Sequence, residues 1–149
     1  MLCIHVRVNS ILNIVTISEA AQAVAEGAKE IDMVINLGAL KSRNYEHVYQ
    51  DIRAVVDASE GNIVKVILET AFLSDEEKIA GAFISAEAGA AFVKTCTGFS
   101  GGAASVHDVG LMRGAVAHKD GVKVKASAGI RSYEQCLEML RAGADRIGT

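Results

Sequence analysis

Hydrophobic positions alternate with single charged residues in four short segments of the chain. The segments are Ile31 to Ile35 with Asp32, Val64 to Leu68 with Lys65, Phe92 to Thr95 with Lys94, and Val122 to Ala126 with Lys125. They recur about every 30 residues, the length of one strand and its crossover helix. Because successive side chains of a strand point to opposite faces, each segment predicts a strand with one apolar face and one face that carries a charge.

The wider pattern predicts a parallel sheet covered by helices. Six strands are expected: Leu2 to Val8, Glu30 to Asn36, Val64 to Thr70, Phe92 to Thr97, Val122 to Ser127 and a short one at Arg146 to Thr149. Ser74 and Ser132 each begin a capping box, and Ser18, Asn44 and Ser105 are the other expected N-caps, with a short helix from Ser18 through Val24. Gly27, Gly89 and Gly143 each stand where a helix is expected to end and a strand to follow. Strands that alternate with helices in this way indicate an α/β fold.

Two architectures fit such an alternation, an open doubly wound sheet and a (β/α) barrel. An open sheet is covered by helices on both faces, so a charge in the middle of four neighbouring strands would be buried without compensation. A barrel can gather these charges in its interior, near the mouth at the carboxyl ends of its strands. A closed barrel of eight strands takes about 250 residues. We therefore expect one domain over residues 1–149, a TIM (β/α)8 barrel truncated to about six strands with covering helices.

Composition narrows the class of ligand. The chain has 149 residues, 50% of them hydrophobic, a formal net charge of −3 and 5% aromatic residues. It has no basic cluster, no apolar run of membrane-spanning length and no basic-then-apolar leader, so nucleic acid and membrane are not expected partners and a cytoplasmic location is expected. The three cysteines and four histidines show no disulfide framework and no metal-ligand spacing, so no metal site is expected.

The charged segments and those around them resemble deoxyribose-phosphate aldolase, a class I aldolase with a TIM barrel. The resemblance lies in Glu30 to Asn36, Val64 to Thr70, Phe92 to Phe99, Val124 to Arg131 and Arg146 to Thr149, and covers roughly residues 20–149 in the family's order. It implies strands four to eight of that barrel, with the N-terminal strands and the end of the C-terminus lacking. It also implies the reversible cleavage of 2-deoxy-D-ribose 5-phosphate to acetaldehyde and glyceraldehyde 3-phosphate, with a sugar phosphate and an aldehyde as ligands and no cofactor.

The resemblance assigns three catalytic roles. Lys94 would form the Schiff base, which requires a neutral amine although a free lysine has a pKa of about 10.4. Lys125 on the next strand would disfavour the charged form of Lys94 by its own positive charge. Asp32 would keep Lys125 ionised and take part in proton transfer, through a water molecule, at the carbinolamine and enamine stages.

Other residues are expected to support the site. Lys65 and Glu69 share a face and are expected to form a structural pair with each other or with Asp32, while the role of Lys123 stays open. The loop that follows Thr97 is rich in glycine from Gly98 onward, and its backbone N–H groups could face a phosphate.

After the next strand the chain has Ala128 and Gly129 where the family has two glycines. We expect weakened but not abolished phosphate binding there, because the additional methyl group either crowds a close approach of the phosphate or demands a different backbone angle. The family also continues past the position of Thr149 into a Ser-rich turn that holds phosphate.

Two other functions stay open, a catalytically impaired remnant of such an aldolase and a different Schiff-base sugar-phosphate aldolase. The two edges of the sheet are expected to lack a neighbouring strand, which is a pairing hazard. Filling of the gap by a second copy of the chain, an open half-barrel and a fragment of a longer product are equally compatible with the sequence.

Overall fold

The computed structural model describes residues 3–6 and 13–149, with side chains from Thr16 onward. Six parallel strands form one sheet in sequential order, β1 to β6. Their bounds are Cys3–Val6, Glu30–Val34, Ile63–Ile67, Phe92–Lys94, Lys123–Ser127 and Arg146–Gly148. The six predicted strands are therefore confirmed, although Leu2, Arg7 and Val8 of the first lie outside the described residues. The predicted carboxyl ends of β2, β3 and β4 are loops in the structure.

Six α-helices connect the strands. Their bounds are Asn13–Ala25 for α1, Leu37–Lys41 for α2, Tyr45–Ala58 for α3, Asp75–Glu87 for α4, Val106–Val116 for α5 and Tyr133–Arg141 for α6, and a 3-10 turn spans Thr70–Phe72. The capping predictions are confirmed at Asn44, Ser74, Ser105 and Ser132, whose side chains each accept a hydrogen bond from the backbone of the first turn.

Two details of the helix prediction are wrong. Ser18 is not an N-cap, because α1 already begins at Asn13 and Ser18 lies inside it. The sequence predicts that Asn36 ends a strand, but its side chain accepts a hydrogen bond from the backbone N–H of Ala39 and caps the short helix α2. Its amide also donates to the buried Asp51 carboxylate at 3.0 Å. Capping competes with strand formation for an asparagine, and here capping prevails.

The helix-ending glycines are confirmed. Gly27, Gly89 and Gly143 have φ of +99°, +95° and +108°, which an L-residue with a side chain rarely adopts. Each turn brings the chain from the end of a helix directly into the next strand.

The two faces of the sheet differ as the sequence predicts. Ile31, Met33, Val66, Val93 and Val124 belong to the hydrophobic core that the sheet forms with the covering helices. Burial of such side chains contributes about 1.5–3 kcal/mol each. The opposite face carries the charged residues of the strands.

Contacts across that charged face show that the sheet is curved. Lys94 of β4 contacts Asp32 of β2, although β3 lies between the two strands. Arg146 of β6 contacts Glu30 of β2 over an even wider separation. Sequential strand order and cross-sheet contacts are typical of a barrel wall and exclude a flat open sheet. The fold is part of a TIM barrel, in which β1 and β6 are the edges of the sheet. Among the helices of residues 13–149, none is both long and apolar enough to cross a membrane.

Candidate active site

The Asp32 carboxylate lies at the centre of the charged face. Its Oδ1 accepts a hydrogen bond from Lys65 Nζ at 2.6 Å, and its Oδ2 accepts one from Lys94 Nζ at 2.8 Å. All three side chains are buried. Each carboxylate oxygen therefore has a different lysine partner in a site with almost no exposed surface, where electrostatic interactions are stronger than in bulk water.

Strand register explains how the three residues meet. Asp32 pairs with Lys65 across β2 and β3, so their side chains lie on the same face at the same height. Lys94 pairs with Ile67, one pleat nearer the carboxyl end of the barrel than Lys65. The Asp32 carboxylate thus contacts Lys65 on the neighbouring strand at the same height, and Lys94 two strands away and one pleat nearer the carboxyl ends of the strands.

Lys125 is in register with Lys94 on the adjacent strand β5 and is partly buried. Two lysines that lie side by side in register on one face are the arrangement that the sequence predicts for mutual electrostatic influence. Gly148 on β6 makes room for Lys125, since a Cβ at position 148 would lie 3.1 Å from Lys125 Cε. The predicted action of Asp32 on Lys125 stays a prediction, which the ion pairs of Asp32 with Lys65 and Lys94 do not test.

Below Asp32, Lys65 connects two acidic residues. Its Nζ also contacts Glu30 Oε2 at 2.6 Å, and Arg146 Nη1 donates to both Glu30 oxygens at 2.9 and 3.0 Å. Burial raises the pKa of the Glu30 carboxyl, but hydrogen bonds from Lys65 and Arg146 and the charges of both outweigh it, so the pKa lies below its usual value. Buried charges tolerate this environment because each is paired.

The sequence left two partners open for Lys65, Glu69 and Asp32, and the structure distinguishes between them. Its pairing with Asp32 is confirmed, whereas Glu69 is used elsewhere. Glu69, at a left-handed φ of 56°, accepts from the Thr97 backbone N–H at 2.9 Å and from Thr97 Oγ1 at 2.7 Å. Glu69 therefore fixes the beginning of the loop that follows β4.

Lys123 is exposed at the amino end of β5, whereas Lys125 lies nearer the carboxyl end of that strand. Its ammonium lies 5.9 Å from the centroid of the Phe92 ring, and the Arg146 guanidinium lies 4.7 Å from the same ring. These distances fit cation–π contacts below the charged site, so Lys123 lies away from Asp32.

A pocket of about 430 Å³ opens beside the loops that follow β4, β5 and β6. The four predicted phosphate-binding residues, Thr97, Gly98, Ala128 and Gly129, all line it, together with Gly101, Gly102, Ala103, Ser127, Ile130, Arg131 and Thr149. Ala128 has a φ of +81°, which is unfavourable for a residue with a Cβ, so the expected demand on the backbone angle is present, while crowding of a phosphate stays a prediction. Gly129 has a φ of +76°, and a Cβ there would lie 2.7 Å from Ala103 Cβ.

Sequence reasoning missed Glu30 and Arg146 as members of the charged cluster. Glu30 lies two residues before Asp32 and so has the same parity on β2, which was an available signal. The sequence contains no signal for the contact between Glu30 and Arg146, because β2 and β6 are not neighbours and these two side chains meet only through the curvature of the sheet.

Among the described residues, one cluster outside the charged face has side-chain atoms that could hold a metal ion. It consists of Asp75, His107 and Asp108 on α4 and α5, away from the strands. The Lys78 ammonium contacts Asp75 at 3.1 Å and Asp108 at 2.7 Å, so a cation of the protein already compensates part of the negative charge of this group.

Comparison with known proteins places this geometry in a family. A profile of the DeoC/LacD family of aldolases matches residues 5–149. A deoxyribose-phosphate aldolase of Streptococcus sanguinis is 58% identical over 131 residues, which are 88% of this chain and 59% of that protein. One from Thermotoga petrophila is 56% identical over 88% of this chain and 52% of its own length. The chain thus spans between half and two thirds of these relatives.

Solved structures agree. A putative deoxyribose-phosphate aldolase from Coccidioides immitis superposes with a TM-score of 0.91 at 43% sequence identity. The match covers 97% of this chain and 59% of that protein chain. The tetrameric deoxyribose phosphate aldolase from Aeropyrum pernix has a TM-score of 0.86 at 33% identity, covering 99% of this chain and 63% of its own. The chain belongs to the DeoC/LacD family of aldolases.

Proposed function

We propose that this protein is a class I aldolase that cleaves 2-deoxy-D-ribose 5-phosphate reversibly through a Schiff base on Lys94. The observation that best supports the proposal is the buried hydrogen bond of 2.8 Å between Lys94 Nζ and Asp32 Oδ2, with Lys125 in register beside Lys94. An amine that faces both a carboxylate and a second lysine has a proton acceptor and a neighbouring positive charge. Family membership and deoxyribose-phosphate aldolases among the relatives support the choice of substrate.

The proposed steps begin with the neutral amine of Lys94. It attacks the aldehyde carbon of the open-chain sugar, and loss of water from the carbinolamine gives the protonated Schiff base. The bond between the second and third carbons then breaks as the 3-hydroxyl loses its proton, which releases glyceraldehyde 3-phosphate and leaves an enamine. Protonation of the enamine and addition of water release acetaldehyde and restore the amine.

Asp32 is the proposed proton acceptor and donor at the carbinolamine and enamine stages, assisted by a water molecule. Its Oδ2 lies close enough to accept the Lys94 proton directly. Lys125 is proposed to disfavour the charged form of Lys94 by its own charge. The pocket beside Thr97, Gly98, Ala128 and Gly129 would take the phosphate group, because two of its loops follow the strands of Lys94 and Lys125.

Trapping with borohydride tests the proposal. The full chain is incubated with acetaldehyde and reduced, and the enzyme is expected to gain one ethyl group, which Lys94→Ala loses. Lys119→Ala, at an exposed lysine after α5, is the matched control and should keep the adduct. A chain without an adduct would indicate a catalytically impaired remnant. An adduct with ketone donors in preference to acetaldehyde would indicate a different Schiff-base aldolase.

We also propose that the chain acts in the cytoplasm in the breakdown of deoxyribonucleotides and forms a homo-oligomer. The substrate class supports the first statement. The second statement is supported by β1 and β6, each of which pairs with one strand in the part of the chain that the structure describes, and by the tetrameric Aeropyrum pernix structure. Light scattering should give a molar mass that is a multiple of 15.7 kDa, and a monomer at all concentrations would contradict the oligomer.

A further inference from the structure

We propose that Glu30 and Arg146 are positioning residues, which act through Lys65 to set how strongly Asp32 holds the Lys94 ammonium. This inference rests on the proposed function and adds two residues to it. Three hydrogen-bonded contacts of 2.6, 2.6 and 2.8 Å lead from Glu30 through Lys65 and Asp32 to Lys94. Arg146 holds the far end of this chain of contacts by donating to both oxygens of Glu30.

Lys65 is the shared element, because one ammonium group contacts two carboxylates. If Glu30 loses its charge, Lys65 interacts more strongly with Asp32, and Asp32 holds the Lys94 ammonium less strongly. If Arg146 loses its charge, Glu30 attracts Lys65 more strongly, and more of the Asp32 charge is left to Lys94. The two changes therefore act on Lys94 in opposite directions.

A simple count of the charges near Lys94 predicts the same two directions of change. Removal of one negative charge favours the neutral amine, and removal of one positive charge favours the ammonium form. The charged groups that face this region come from four strands and one loop: Glu30 and Asp32 on β2, Lys65 on β3, Lys125 on β5 and Arg146 on β6, with Glu69 in the loop after β3.

The test compares the pH midpoint for formation of the borohydride-trapped adduct in three variants of the full chain. Glu30→Gln is expected to lower the midpoint and Arg146→Gln to raise it, each by about half a unit to one unit for the loss of one unit charge three or four contacts away from Lys94. The double variant should return close to the parent. Arg146→Lys keeps the charge and should keep the parental midpoint within about 0.3 units.

Matched controls come from an exposed ion pair on α3, in which Arg53 contacts Asp57 at 2.6 Å. Arg53→Gln and Asp57→Asn make the same changes of net charge far from the barrel interior and should leave the midpoint unchanged. A role limited to stability would lower the adduct yield of both site variants without opposite shifts. Shifts of equal sign, or no shift, would overturn the inference and leave the proposed function intact.

A second measurement does not require catalysis. Lysine residues labelled with ¹³C at Cε are titrated by NMR in the full folded chain without ligand, and Lys94 is assigned from Lys94→Met. Opposite shifts of the Lys94 titration in the Glu30 and Arg146 variants would support the inference even if the parent forms no adduct, in which case only the proposed function fails. Equal or absent shifts would again overturn the inference.

Discussion

At the scale of single residues, Asp32 is the centre of the account. Its two oxygens hydrogen-bond to two different lysines, and the side chain is fully buried. An unpaired ammonium in such a place is costly, so the carboxylate is required for stability as well as for the proposed proton transfer. The same residue thus joins the energetics of the fold to the chemistry of the site.

Asp32→Asn is expected to lower the free energy of unfolding by about 3–5 kcal/mol at neutral pH, because Lys65 and Lys94 lose the charge that compensates their burial. Urea denaturation followed by circular dichroism measures the change. Asp57→Asn at the exposed pair with Arg53 is the control and should change stability little. A loss at Asp32 as small as at Asp57 would contradict the pairing.

Glu30 predicts a dependence of stability on pH. Its pKa is lowered in the folded protein, so its carboxyl binds protons more readily when unfolded, and its contribution to stability is present above the ordinary glutamate pKa of about 4.3. That contribution is lost as the pH falls through the folded pKa. The difference in unfolding free energy between the parent and Glu30→Gln should therefore shrink from pH 6 towards about pH 3. A difference that grows with acid would contradict the lowered pKa.

Ala128 predicts a substitution that stabilises the protein. Its φ of +81° is unfavourable for alanine by about 1–2 kcal/mol, and glycine loses about 0.5–1 kcal/mol more backbone entropy on folding. Ala128→Gly should raise the unfolding free energy by up to about 1 kcal/mol. Ala117→Gly, at an ordinary φ of −62° after α5, should lower it. Equal effects of the two substitutions would exclude strain at Ala128.

At the scale of elements, the loop after β4 connects the charged site to the pocket. It begins at Thr97, which Glu69 holds through two hydrogen bonds, and Thr97 Oγ1 in turn accepts from the Phe99 N–H at 3.2 Å. The loop lines the pocket with Thr97 and Gly98. Glu69 therefore acts on the shape of the pocket through Thr97, which lies three residues beyond Lys94 on the same chain segment.

Thr97→Val keeps the shape of the side chain and removes its hydroxyl. We expect a KM for 2-deoxyribose 5-phosphate that rises about tenfold, which is the effect of losing about 1.4 kcal/mol of binding, while trapping of acetaldehyde on Lys94 stays near the parental rate. Steady-state kinetics and adduct formation measure the two effects. Equal losses in both assays would contradict a role in binding the phosphate end.

Some helices and strands can be predicted from the sequence more accurately than others. Strands with alternating polarity and helices with capping boxes at Ser74 and Ser132 follow from local chemistry, so they are predicted well. The start of α1 and the cap at Asn36 are not, because their signals conflict with the neighbouring hydrophobic pattern. The cluster of Lys94 with Asp32 follows from parity and resemblance. The contact of Arg146 on β6 with Glu30 on β2 depends on the curvature of the sheet, which single-strand patterns do not contain.

At the scale of the whole molecule, the curved sheet separates buried apolar side chains on one face from buried charged side chains on the other. Helices cover an apolar outer face, and the concave inner face holds five paired charges on four strands, at Glu30, Asp32, Lys65, Lys94 and Arg146. This concave wall brings residues of β2, β4 and β6 into one cluster. The proposed chemistry requires that one lysine of this wall differ from the others in reactivity.

The most direct test of that requirement identifies which lysine reacts. The full chain is incubated with 2-deoxyribose 5-phosphate, reduced with borohydride, digested and mapped by mass spectrometry. The account predicts a reduced adduct on Lys94 alone, which Asp32→Asn strongly reduces. An adduct on Lys65 or Lys125, or one spread over several lysines, would contradict it.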